Sequence, residues 1–165
     1  WPISSSQNKP SAKAVQNLQD YLDHGGTILV DTRQGSARSA DVQRLLGALN
    51  VPPLQEIPED HVLTRTFYLV ESFPGRFENA DLWVEDQNTN NRDGVSSIIL
   101  GGNDWAGSWS ELTVIDRGGR QYMTGKSERH EMSLRFGVNL VMYALTGNYK
   151  TDQVHVPHIL ERLDQ

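Results

Sequence analysis

The chain has 165 residues, a formal net charge of −6, 37% hydrophobic residues and no cysteine. That length and apolar content suffice for one folded domain without disulfides or metal, and are too rich for a disordered chain. The absence of thiols excludes disulfides, zinc–thiolate sites and cysteine nucleophiles, and the acidic balance without a basic stripe argues against a nucleic-acid partner. No apolar run reaches the ~18 residues of a membrane span. The best, Phe136 to Leu145, is short and carries Asn139. Opening on Trp1-Pro2-Ile3, with no initiator Met or signal-peptide pattern, residues 1–165 read as one domain that is a fragment of a longer protein.

The first periodic segment runs from Ser11 to about His24. Val15, Leu18 and Leu22 lie at helical spacing between Ser11 as N-cap and Gly25 beyond the end. Thr27-Ile28-Leu29-Val30 follows, an apolar run without polar alternation that suits a strand buried on both faces of a parallel sheet. Asp31-Thr32-Arg33 end it. A second helix is expected from Ser39 to about Leu49, with Val42, Leu45, Leu46 and Leu49 on one face and Pro52-Pro53 preventing continuation. Short stretches at Thr66 to Val70 and Asp81 to Glu85 read as strands, separated by the turn-forming Phe73-Pro74-Gly75. Gln87 to Asp93 is an Asn-rich surface loop, and Ser97-Ile98-Ile99-Leu100 before Gly101-Gly102 is a second buried strand.

Leu112 to Ile115 and Arg120 to Met123 flank Asp116-Arg117-Gly118-Gly119, which predicts a small β-hairpin decorating the main sheet. The longest helix should run from Ser127 to Leu145, polar at first and then apolar nearly all round before Gly147, so that its second half must be buried. A short closing helix is expected to start near Pro157. Alternation of helices with uniformly apolar strands implies an α/β fold with a doubly wound, mostly parallel sheet and helices on both faces.

In such sheets ligands bind beyond the carboxyl ends of the strands, which singles out Asp31 to Ser36 and Gly101 to Trp109. Gly101-Gly102-Asn103-Asp104-Trp105 sets small residues where backbone approaches something closely, then an amide, a carboxylate and an indole that can rim a ligand pocket. The alternative is a tight turn, with Asp104 as a local cap and Trp105 and Trp109 packed on the core. Asp31 and Arg33 either orient a polar ligand or pair with each other. Gly35-Ser36-Ala37 lacks the spacing of a phosphate loop.

Glu59-Asp60-His61-Val62-Leu63-Thr64-Arg65 combines a general base, an anion clamp and two carboxylates, or else forms a helical turn whose polar groups bond to backbone. His130 and Glu131 open the long helix, where they project toward the cleft or serve the helix start. Asp31, Arg33, Arg65, Asn103, Asp104 and Trp105 are thus the ligand-binding candidates, and His61, Asp104 and His130 the catalytic ones. His155 and His158 lack an H-E-x-x-H context and no G-x-S-x-G elbow exists, so neither a metal nor a serine nucleophile is expected, and no cofactor is called for.

Several blocks carry a family resemblance. They are Gly25-Gly26-Thr27-Ile28-Leu29-Val30-Asp31-Thr32-Arg33, the run from Pro58 to Tyr68, Gly101-Gly102-Asn103-Asp104-Trp105-Ala106, the run from Arg135 to Lys150, and Asp152-Gln153-Val154-His155-Val156-Pro157. Together they resemble a bacterial family of uncharacterised domains at the C-terminal end of membrane proteins, whose N-terminal region is similar to aerotolerance-type Bat proteins with two transmembrane helices. The resemblance implies a membrane-associated parent, with membrane contact through the rest of that protein, and a class I glutamine amidotransferase-like fold of the flavodoxin-like kind, including its ThuA-like branch. It also implies that an N-terminal strand and helix precede Trp1. Amidotransferases of that fold attack an amide with a Cys thiolate, and no position here supplies one.

The favoured reading is therefore a noncatalytic domain that binds a small polar ligand or a protein partner. One alternative is a ThuA-like hydrolase or carbohydrate-active enzyme, in which His61, Asp104 and His130 converge and a sugar stacks on tryptophan. Another is a structural or oligomerisation module.

Overall fold

Serine side chains set the first two helices of the computed structural model, which describes residues 2–3, 6–32, 39–77, 81–86, 95–110, 114–115, 121–122 and 128–163. Helix α1 (Ala12–Asp23) begins where Ser11 Oγ accepts from Ala14 N at 3.2 Å, and α2 (Ala40–Leu46) where Ser39 Oγ accepts from Val42 N at 3.3 Å. Each satisfies a backbone donor that the first helical turn leaves over. Beyond α1 the chain reverses through Gly25 at φ +86°, a left-handed conformation that glycine takes without a Cβ penalty.

The main sheet contains β1 (Pro2–Ile3), β2 (Ile28–Thr32), β3 (Leu54–Glu56), β4 (Leu82–Glu85) and β5 (Ile98–Gly101), in the order β1-β2-β5-β4-β3. Strands β1, β2 and β5 run parallel, whereas β4 is antiparallel to β5 and β3 antiparallel to β4. The expected mostly parallel sheet is thus corrected to a mixed one. A parallel neighbour requires a crossover over one face, usually a helix. The described residues from β3 to β4 and from β4 to β5 hold no α-helix, so the strands reverse instead.

Period-two alternation sorts the strand residues between two cores. Ile28, Val30, Ile98 and Leu100 pack with Leu22 of α1 and Val42, Leu45 and Leu46 of α2 on one face. On the other, Leu82, Val84 and Ile99 pack with Leu63 of a 3₁₀ turn (Val62–Thr64), Trp105 of α3 (Trp105–Ser110), and Phe136 and Tyr143 of α4 (Glu128–Leu163). Helices therefore cover both faces, as the apolar strands required. A separate antiparallel pair, β6 (Val114–Ile115) and β7 (Gln121–Tyr122), is the expected hairpin. Its connecting Asp116 to Gly119 and the polar Gln87 to Asp93 lie outside the described residues.

Three expectations differ from the structure. Thr66 to Val70 is not a strand, because other partners take its backbone: the Asn139 amide bonds the chain at Phe67 and Tyr68, and Val70 N donates to Thr64 O. Helix α4 continues past Gly147 and through Pro157 to Leu163 as one helix. Glycine there is a propensity cost of about 1 kcal/mol and not a stop. Nor is α4 buried all round. Ser133, Phe136, Asn139 and Tyr143 are buried, while Leu134, Val138, Val141 and Leu145 face outward.

The sheet's contact with α3 depends on one missing side chain. A Cβ at Gly101 would overlap the outer edge of the Trp105 indole, which abuts the end of β5 and is itself wholly buried. Gly101→Ala is expected to destabilise the domain by about 2 kcal/mol through overpacking, read as a lower urea midpoint with an unchanged slope.

Candidate functional site

Beyond the carboxyl ends of β2 and β5, the turn Gly102–Asp104 lays α3 across the end of β2. Asp104 adopts φ 49°, a left-handed conformation that Asp tolerates better than most residues. Its N–H donates to Thr32 O at 3.1 Å and its carbonyl accepts from Ser108 N at 3.0 Å. Its carboxylate lies 3.4 Å from the Arg76 guanidinium. Asp31, 4% exposed, reaches from β2 so that Oδ2 accepts from Ala106 N at 2.9 Å. The other oxygen, Oδ1, is buried without a partner. Burial pushes the Asp31 pKa above the usual carboxylate value, the Ala106 and Trp105 N–H groups draw it down, and the nearby Asp104 charge pushes it up again.

Asn103 and Trp105 work in a different direction. Asn103 Nδ2 donates to Phe73 O at 2.8 Å and Trp105 Nε1 to the same oxygen at 2.9 Å, which pins residues 73–77 against the sheet end. Gly75 makes this possible, since a Cβ there would collide with the Asn103 carbonyl. Trp105 is 0% exposed and tilts against Phe136 at 4.7 Å, so it belongs to the core and not to a pocket rim. Next to Phe73 a groove of 760 Å³ opens, where Glu56, Glu59, Glu71 and Asp81 stand around Ile57 and Leu82. No Lys or Arg is among its described lining residues.

The structure thus brings Asp31, Asn103, Asp104 and Trp105 to one end of the sheet, and none of the contacts it gives His61 is with these four. The His61 ring lies 5.6 Å from Tyr143, whose hydroxyl accepts from Ser96 N at 2.7 Å just before β5 begins. Roughly 15 Å of extended backbone separates that point from the Gly101 end. His61 Nδ1 accepts from Leu63 N at 3.2 Å as the cap of the 3₁₀ turn, the backbone-bonding arrangement the sequence left open, and Nε2 is buried without a partner. Arg65 is exposed at the far end of that turn, and His130 is half-buried in the first turn of α4. Arg33 and Gly35-Ser36-Ala37 lie outside the described residues.

Three residues not singled out by sequence hold this framework together. The Asn139 side chain makes four bonds: Oδ1 accepts from Phe67 N and Tyr68 N, and Nδ2 donates to Leu63 O and Tyr68 O, all between 2.8 and 3.1 Å. Glu85, fully buried, accepts from Ser97 N and Ile98 N through Oε1 and joins the end of β4 to the start of β5. Tyr143 fixes Ser96, and burial pushes its phenol pKa up. The only signal in the sequence was the presence of a polar group inside an otherwise apolar helix or strand.

Among the described residues no His, Asp or Glu cluster of three or more is placed to hold a metal ion, and no helix is long and apolar enough to cross a membrane. The chain belongs to the family described as Domain of unknown function (DUF4159), whose model matches residues 1–145 and so takes in every strand among the described residues and the whole strand-end cluster. No curated protein matches it.

Two measurements check these roles. Asn139→Ala removes the partner of two part-buried N–H groups and two carbonyls, and is expected to cost about 2–4 kcal/mol in urea unfolding, with loss of amide-exchange protection at Phe67 and Tyr68. His61 supplies a pH dependence, because burial lowers its pKa from 6.5 to about 4. Its contribution to stability is complete above pH 6.5 and is lost as pH falls toward 4, where the folded state must accept a buried charge. The raised pKa of Asp31 acts with the opposite sign, its contribution being present at low pH and lost as pH rises through the folded value. Between those two pH values wild type should lose up to about 3 kcal/mol more than His61→Asn, which keeps the capping acceptor but cannot titrate. Equal slopes in denaturant melts across that range would remove His61 as the cause.

Proposed function

We propose that this domain is a noncatalytic binding module that takes a small polar ligand, or a polar group of a protein partner, at the carboxyl ends of β2 and β5. The observation that carries the reading is Asp31 Oδ1, a buried carboxylate oxygen without a partner at the strand ends where ligands of parallel α/β sheets bind. A buried acceptor left unpaired costs roughly 1–3 kcal/mol, which a ligand N–H or O–H would recover. Asp104 adds negative charge beside it, and the acidic groove next to Phe73 gives the body of a cationic ligand a place at the same end of the sheet.

The sequence blocks that resemble C-terminal domains of Bat-like membrane proteins support a membrane-tethered bacterial parent, and those same blocks support an amidotransferase-like, ThuA-like ancestry. His61 Nδ1 is engaged as the cap of the 3₁₀ turn, which favours binding over hydrolysis. On this reading the amidotransferase-like scaffold is used for recognition, and residues 1–165 contain no thiol with which to attack an amide.

Spermidine and arginine amide are suitable probes, since both present N–H donors on a cation. Bound at about 100 times its Kd, either should raise the melting temperature by roughly 5–10 °C. Asp31→Asn, which turns one oxygen into a donor while keeping an acceptor for Ala106 N, should abolish the shift. A panel of such amines that leaves the wild-type melting temperature unmoved, or moves both proteins equally, would refute a site at Asp31.

A further inference from the structure

Strand β3 is an edge of the main sheet, beyond β4 in the order β1-β2-β5-β4-β3. Bonds from Asp86 N to Pro53 O and from Ile57 N to Leu82 O set the alternation of its ladder. Gln55 therefore forms the hydrogen-bonded pair with Val84, and the N–H and C=O groups of Leu54 and Glu56 point away from β4. None of these backbone groups has a hydrogen-bond partner among the described residues. Pro52-Pro53 before the strand and Pro58 after it keep the open stretch short, which guards it against indiscriminate strand pairing.

A groove lies on each face of this edge. On the face packed by α2, Leu54 and Trp83 join Val42, Leu46, Leu49 and Val51 around an apolar depression of 520 Å³. On the face packed by α3 and α4 is the 760 Å³ groove of Ile57 and Phe73, with Glu56, Glu59, Glu71 and Asp81 around it. All four carboxylates are exposed, and none has a cationic partner among the described residues.

We propose that this edge takes an extended segment of a partner protein as a sixth strand, one in which apolar and basic side chains alternate. The backbone of Leu54 and Glu56 supplies the hydrogen bonds of the new ladder. Successive side chains of a strand point to opposite faces, so every second residue meets the apolar groove and the residues between meet the carboxylates. In this mode of recognition main-chain bonds hold the strand and the pockets choose its sequence. A second copy of the chain is a poor occupant, because pairing β3 with β3 sets the same carboxylates against one another. The edge is also distinct from Asp31, which lies three strands away on β2, so the amine-binding site and the strand site stand or fall separately.

Fluorescence anisotropy of the full chain with a labelled peptide of about ten residues, lysine alternating with valine, should show saturable binding. A peptide of glutamate alternating with valine should bind at least about 10-fold more weakly. Glu59→Lys combined with Glu71→Lys, both at exposed positions, should lower the affinity for the lysine peptide by about 10- to 100-fold with unchanged circular dichroism. Amide hydrogen exchange then locates the strand. In the complex the Leu54 and Glu56 N–H groups should exchange about 10-fold more slowly or less, while Gln55, already bonded to Val84, changes little. Methylating the peptide's backbone nitrogens should abolish binding and protection together. No binding up to millimolar peptide, equal binding of the acidic peptide, or binding that leaves exchange at Leu54 and Glu56 unaltered would overturn the proposal. So would protection of those two amides that rises with the concentration of the chain alone, the mark of self-pairing.

Discussion

One amide side chain determines how the two halves of the second core meet. Asn139 sits on the buried face of α4 and uses both lone pairs and both N–H groups of its carboxamide on the backbone of residues 63–68. Because that segment has no strand partner, its backbone polar groups would otherwise be buried without bonds or left to water. The clamp fixes the rotation of α4 about its own axis as well as the position of the 3₁₀ turn. Everything on the opposite side of the helix follows from that rotation. Leu134, Val138, Val141 and Leu145 are outside because Asn139, Phe136 and Tyr143 are inside.

At the other end of the sheet the same logic works through backbone carbonyls. Phe73 O receives both Asn103 and Trp105, so two side chains that looked suited to a ligand are occupied in holding residues 73–77. Asp31 and Asp104 are the groups left with charge to offer, and they are unlike in their surroundings. Asp104 has the Arg76 guanidinium at hand, whereas Asp31 has two backbone N–H groups on one side and an unpaired oxygen on the other. A carboxylate held by helix-end donors and desolvated elsewhere is fixed in orientation before any ligand arrives, which lowers the entropy cost of binding. On the proposed reading the site is small but pre-formed.

How much of this was legible in the sequence depended on whether the controlling partner was local. Ser11 and Ser39 lie three residues from the N–H groups they cap, and both helices were readable. Strands β2 and β5 were readable because burial on two faces leaves no polar residue within Ile28 to Val30 or Ile98 to Leu100. Strand direction was not, because the sign of the β4–β5 pairing is set by the connection between them and leaves no mark in four apolar residues. Thr66 to Val70 has the composition of a strand and lost that state to a side chain more than seventy residues away. In the site, adjacency of Asn103, Asp104 and Trp105 to the end of β5 was visible, and their division of labour was not. That division turns on which of them reaches Phe73, a contact about thirty residues distant. His61 shows the same limit. Its capping bond to Leu63 was foreseeable from spacing, yet its neighbour Tyr143 is on another element.

An all-round apolar helix is ordinarily read as one sunk in its own domain, since a single chain has only one core to offer it. Helix α4 satisfies that pattern in a different way, through one face that carries a buried polar anchor and one that carries none. Asn139 lies among the inward residues, and the outward stripe between Leu134 and Leu145 is purely aliphatic. Polar anchors specify a single partner and a single rotation, as Asn139 does for residues 63–68. An aliphatic stripe specifies only shape and spacing, so the two faces differ in how closely they define what lies against them. The inner face fixes one backbone segment by hydrogen bonds, and the outer face carries no polar group with which to fix any.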